Sequence, residues 1–171
     1  EARQTPIEHH KEYDPDTGET SWASTAATIF PTEYFRQVGG FDADTFFMYC
    51  DDLDFSWMLR LLGYKIIYVP QAVVFHAKWL DVKGGWMPTS AEIYYSAEAA
   101  LLMAYKWSNP KRVEELLKSY VAVPNSPTEK AAQSFLQRKK EGRLPQPLDP
   151  EHLVAEFTKD GYGPSRFTVG E

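Results

Sequence analysis

Residues 46–76, FFMYCDDLDFSWMLRLLGYKIIYVPQAVVFH, decide how the chain is read. Leu53, Trp57 and Leu61 recur at four-residue spacing while Phe55, Met58 and Leu62 fill the neighbouring stripe, which predicts a helix over 53–62. Gly63 ends it. Two β-rich runs follow, 64–69 and 72–75, separated by Pro70, and the second delivers His76 at its end. Ahead of the helix, an aromatic and apolar run from Phe46 to Tyr49 leads into adjacent carboxylates, Asp51 and Asp52, with a third at Asp54.

Acidic side chains at a helix start have a plain explanation, because they accept hydrogen bonds from free backbone N–H groups and suit the positive end of the helix dipole. That accounts for one or two carboxylates. It accounts neither for the aromatic approach before them nor for a histidine closing a later strand.

Taken in order and spacing, four segments resemble the second half of a family 2 glycosyltransferase domain: Gly39-Gly40-Phe41-Asp42, Phe47 through Phe55, Gly63-Tyr64-Lys65-Ile66 with Val69-Pro70, and Val73-Val74-Phe75-His76. The resemblance runs from Trp22 to Trp79. It implies an α/β chain, the C-terminal part of a GT-A (nucleotide-diphospho-sugar transferase) fold. Carried over residue by residue, it makes Asp52 the general base that takes the proton of the acceptor hydroxyl and Asp51 its orienting neighbour. His76 would help hold a divalent metal, Mn or Mg, on the donor diphosphate. Substrate contacts fall at Trp22, on a strand that floors the acceptor site, at Tyr49 and Trp79, and at Lys83 in a loop that closes over the nucleotide in related enzymes. The implied partners are a nucleotide-diphosphate sugar donor and a carbohydrate or lipid-linked glycan acceptor, as in polysaccharide or cell-wall synthesis. The Asp-Asp pair with His76 and Trp79 also resembles the galactofuranosyltransferase branch, whereas Gly-Gly-Phe-Asp resembles the rhamnosyltransferase branch. The sugar therefore stays open.

The chemistry is coherent on physical grounds. Inverting transfer needs a base within hydrogen-bond reach of the attacking hydroxyl, and a carboxylate beside another carboxylate is made more basic. The departing diphosphate needs its charge neutralised, which a divalent cation with carboxylate, imidazole and phosphate ligands can do. Two departures from the family pattern stand out. Met58 occupies the place of a usual arginine, with Arg60 two residues on, and Tyr94-Tyr95 are followed by Ser96, Ala97 and Glu98 where an arginine-asparagine pair is usual.

The 171 residues, 43% hydrophobic and 15% aromatic, suffice for one globular core. A formal charge of −6 argues against a nucleic-acid partner, which demands clustered Lys and Arg. The one cysteine, Cys50, excludes an internal disulfide and a multi-cysteine metal site, and its neighbour Asp51 disfavours a thiolate nucleophile. With no apolar run of about eighteen residues and no signal-peptide pattern, the expectation is a cytoplasmic protein, with peripheral contact at the inner face of the membrane left open.

Along the chain, residues 1–20 read as loop or linker, with turn chemistry at Asp14-Pro15-Asp16-Thr17-Gly18. Asp14-Pro15-Asp16 spells Asp-x-Asp but follows a polar His9-His10-Lys11-Glu12 run rather than an apolar strand, so it is not read as the metal motif. Residues 21–80 form the acceptor-side half of the transferase domain, with a strand at 22–30 and a short helix at 33–38 ended by Gly39-Gly40. Residues 81–171 read as a helical extension: a loop at 81–85, then helices at 90–107, from Pro110, at 128–141, and a fourth capped by Asp149 with Leu153, Val154 and Phe157 inward.

A complete GT-A domain starts with about a hundred residues of βαβ nucleotide-binding structure, which nothing before Trp22 can supply. The donor-binding half is therefore expected outside this chain, which alone should bind donor weakly and not turn over. The alternative is a non-catalytic carbohydrate-binding or interaction module derived from the same family. Met58 and the missing arginine-asparagine favour it, and intact Asp51, Asp52 and His76 favour the enzyme.

Overall fold

The computed structural model describes residues 13–74, 87–158 and 161–162. It is mixed α and β with helix predominating, and it divides into two units. One comprises Glu1–Gly40, Phe55–Met87 and Val154–Glu171; the other comprises Phe41–Asp54 and Pro88–Leu153.

In the first unit the turn at 14–18 forms as its composition predicts. Asp14 Oδ1 accepts from the amides of Asp16 (2.8 Å) and Thr17 (3.1 Å), and these bonds hold its carboxyl below the ordinary carboxylate range. Gly18 closes the turn at φ +75°, and a Cβ there would sit 3.0 Å from the Tyr68 carbonyl. Strand β1 (Glu19–Thr20) then pairs antiparallel with β2 (Ile66–Ile67), Glu19 opposite Ile67 and Thr20 opposite Ile66. Lys65 reaches Glu19 at 2.9 Å on the exposed side of the ribbon.

Helix α1 (Thr32–Gln37) starts after Pro31 and ends at Gly39 and Gly40, which take φ +81° and +84°. Its Tyr34 ring stacks on Tyr64 at 4.0 Å, and Phe35 joins Phe30 and Phe55 in an aromatic cluster. Helix α2 (Asp51–Leu61) carries the wholly buried Trp57 and ends at Gly63, φ +84°. A hairpin of β3 (Phe157–Thr158) and β4 (Gly161–Tyr162) sets Phe157 edge-on to Trp57 at 5.3 Å.

Three expectations for this unit need correction. The stretch 22–30 is not a strand: it holds a single 3-10 turn, Thr25–Ala27. Ser24 accepts from Ala26 N, and Thr28 Oγ1 donates to the Ser24 carbonyl at 2.6 Å, so local hydroxyl bonds outcompete a ladder. Of the run 64–69, only Ile66 and Ile67 are strand, and 72–74 carry none, with Val73 and Val74 exposed. Helix α2 begins two residues before the predicted Leu53, because the Cys50 carbonyl already accepts from Asp54 N at 2.8 Å.

The second unit is built on α3 (Ser90–Lys106), which packs against both α4 (Pro110–Tyr120) and α5 (Pro127–Lys140). Each start is chemically marked. Thr89 and Glu92 form a reciprocal capping box, Asn109 caps α4, Ser126 caps α5, and proline opens both later helices. Alanines at 97, 99 and 104 of α3 and at 131 and 132 of α5 are buried, and small side chains let helices approach closely. The buried Glu98 is satisfied by the hydroxyls of Tyr94 (3.1 Å) and Ser134 (2.6 Å), with Arg138 at 3.7 Å.

The predicted fourth helix does not form. Asp149 and His152 take φ +49° and +52°, values a helix cannot contain, and Leu148 N is held by the Lys106 carbonyl at 2.6 Å. Asp149 instead caps a turn, accepting from Leu153 N at 2.7 Å, and Leu153 is 73% exposed rather than inward.

Candidate functional site

The second unit contains the carboxylate pair. Asp42 starts the approach by accepting from Thr45 N at 3.0 Å through its side chain and from Phe46 N at 2.9 Å through its carbonyl. Phe46 is buried, and Tyr49 and Cys50 both follow in the left-handed region, φ 67° and 60°. Two consecutive non-glycine residues in that region cost on the order of 1–2 kcal/mol each. Strained backbone persists where its surroundings over-determine it, and here it turns the chain directly into α2.

What over-determines it lies one turn further on. Asp54 is 2% exposed, with Oδ2 2.8 Å from Lys106 Nζ and Oδ1 2.9 Å from Trp107 Nε1. Lys106 also contacts Asp42 at 2.8 Å, and its ammonium sits 5.5 Å from the centre of the Phe46 ring. One buried cation thus ties the approach loop, the start of α2 and the end of α3. Burial pushes the Asp54 carboxyl above its usual range despite Lys106 and Trp107. For Asp42 the same burial effect is outweighed by the bonds from Lys106 and Thr45, and its carboxyl lies below the usual range.

The three acids of the first helical turn therefore divide. Asp54 is an interior anchor, whereas Asp51 and Asp52 are partly exposed, with Asp52 Oδ1 2.9 Å from Leu53 N. Tyr49 precedes them in the chain; its hydroxyl donates to Glu92 Oε1 at 3.4 Å, and burial followed by the Glu92 charge raises its phenol above the ordinary range. Phe47 lies against Tyr95, ring centres 4.8 Å apart.

Of the residues singled out from sequence, Asp51, Asp52 and Tyr49 all belong to this unit, within four consecutive positions of the chain. Trp22 belongs to the first unit and is 9% exposed, a core position with little ring face left for stacking on a sugar. His76, Trp79 and Lys83, together with His9 and His10, lie outside the described residues. Among the described residues no group of three or more His, Cys, Asp or Glu side chains is arranged to hold a metal ion. The guanidinium of Arg60, two residues after Met58, is engaged by the Val154 carbonyl (2.7 Å) and Glu156 (2.6 Å). Sequence reasoning missed Lys106 and Trp107. The signal was a lysine interrupting the apolar run 101–107, LLMAYKW, where a charge must be buried with a partner.

Over 65 residues the chain is 37% identical to N-acetylglucosaminyl-diphospho-decaprenol L-rhamnosyltransferase of Mycobacterium tuberculosis, in both the CDC 1551 / Oshkosh and the H37Rv strains. The match takes up 38% of this chain and about a fifth of the length of those relatives, 21%. It relates this part of the chain to glycosyltransferases at a coarse level. No family model matches the chain, and no solved structure does. Among the described residues no helix is long and apolar enough to cross a membrane.

Proposed function

We propose that the chain is the acceptor and base part of an inverting family 2 glycosyltransferase, working with a donor-binding half of GT-A type. The carrying observation is the division of labour in the first turn of α2. Asp54 is locked to Lys106 and Trp107, while Asp51 and Asp52 stay partly exposed. The partial likeness to a rhamnosyltransferase supports the same reading.

In this mechanism Asp52 accepts the proton of an acceptor hydroxyl as that oxygen bonds to the anomeric carbon of a nucleotide-diphosphate sugar. The bond from the anomeric carbon to the diphosphate oxygen breaks with its electron pair, and the sugar centre inverts. Asp51 is the neighbour of the base in the pair, and the anchor at Asp54 in the same helical turn holds the backbone that carries both. The acceptor class is a glycan on a lipid diphosphate, as in the name of the mycobacterial relatives. Dependence on Mn or Mg belongs to the same proposal, with His76 as its intended ligand. Such an acceptor calls for peripheral contact with a membrane, and its inner face belongs to the same proposal.

The alternative, a non-catalytic carbohydrate-binding module, is favoured by Met58 and by Ser96-Ala97-Glu98. Transfer assays on the full-length protein separate the two. Asp52→Asn is expected to reduce turnover at least about a hundredfold while sugar-nucleotide affinity stays within about twofold. Turnover near the parent rate in that variant removes Asp52 as the base.

A further inference from the structure

We propose that Phe47 and Tyr95 form a stacking subsite for a neutral sugar ring of the acceptor; this rests on the transferase reading above. Adjacent Phe46 and Phe47 part company: Phe46 is buried beneath the Lys106 ammonium, and Phe47 is 73% exposed. Leaving a phenyl ring in water forgoes about 1.5–3 kcal/mol of burial, and the loop that does so is held on both sides by Lys106, through Asp42 and Asp54, rather than left slack. Phe47 is moreover oriented by a partner. Its ring lies 4.8 Å from Tyr95 at 44°, and Tyr95 is braced edge-on by Tyr94 at 5.0 Å.

The charges around this pair select its occupant. Asp51 and Asp52 follow Phe47 closely along the chain, and Glu92, one helical turn before Tyr95 on α3, lies 3.4 Å from the Tyr49 hydroxyl. Three carboxylates favour the neutral ring of such an acceptor at this position and keep its diphosphate and lipid away from the aromatic pair. A pyranose ring suits both features, with a C–H face for the aromatic rings and hydroxyl donors for the carboxylates. Its hydroxyl would then be presented toward Asp52, which is what the proposed transfer requires.

The experiment is saturation-transfer NMR on the full-length protein with methyl β-N-acetylglucosaminide as the probe, together with acceptor kinetics. Phe47→Ala is expected to weaken saccharide binding and raise the acceptor KM about tenfold, with kcat and the donor KM within about twofold. Phe47→Trp is expected to restore binding. Because Phe47 is largely exposed, circular dichroism should show both variants folded. Absence of saccharide binding by the parent protein, or unchanged affinity in Phe47→Ala, overturns the subsite whatever Asp52 does. Undiminished transfer by Asp52→Asn, with saccharide binding still lost in Phe47→Ala, removes the proposed base and leaves the subsite standing.

Discussion

The three helices of the second unit and the β-rich runs of the first were equally conspicuous in sequence, yet they fared differently. Helices α3 and α5 lie within a residue of the predicted ranges and α4 starts at the predicted Pro110, whereas the runs at 22–30, 64–69 and 72–74 yield one strand of two residues. A helix satisfies its own backbone and announces its start through a cap, as Thr89, Asn109 and Ser126 do. A strand needs an edge to pair with, and β propensity expresses fit to such a surface rather than a preference of the segment. In the first unit the described edge is Glu19–Thr20 alone for β2, and its hydrogen bonding reaches only to Tyr68 N on the Gly18 carbonyl, 2.8 Å. Hydrogen exchange should therefore be slow along α3 and fast in β1 and β2.

The largest expected effect sharpens this contrast. Lys106→Met leaves Asp54 buried without its cation and should cost about 3–5 kcal/mol in urea unfolding. Adding Asp54→Asn should recover part of that loss, and a strictly additive double variant would show that the pair is not coupled. In the first unit the tight point is the turn before β1. Gly18→Ala should cost about 1–2 kcal/mol, because the new Cβ meets both a left-handed backbone and the Tyr68 carbonyl. Thr89→Ala, which removes half of the capping box on α3, should cost about 1 kcal/mol and raise exchange at the helix start.

The smallest effect is on pH dependence. The Asp42 carboxyl is lowered on folding, so its stabilisation is present above the ordinary value of 3.8 and is lost as pH falls through the depressed folded value. The Asp54 carboxyl is raised, so its contribution has the opposite sign, present below the unfolded value and lost as pH rises through the folded one. Asp42→Asn should therefore flatten the acid limb of the stability curve, and an unaltered limb would contradict the role given to the Lys106 bond.

The candidate site was legible in part, for a related reason. Asp51 and Asp52 declared themselves by adjacency at a helix start, and Tyr49 by its place in the aromatic approach. The role of Asp54 was hidden, because its partners Lys106 and Trp107 lie more than fifty positions away and only folding joins them. The predicted helix after Asp149 failed on the same count. Its cap residue is genuine, yet long-range bonds from Lys106 and Ser108 fix Leu148, and the chain turns left-handed instead. Local signals name candidates, and distant contacts decide which of them serve structure.

The division between an inward Asp54 and outward Asp51 and Asp52 is best tested by measuring sugar transfer and melting temperature together on Asp52→Asn and Asp54→Asn of the full-length protein. The account predicts that Asp52→Asn melts within about 2 °C of the parent while transfer falls at least about a hundredfold, and that Asp54→Asn lowers the melting temperature by several degrees. Parent-like transfer by Asp52→Asn, or a fall in its melting temperature matching that of Asp54→Asn, would contradict it.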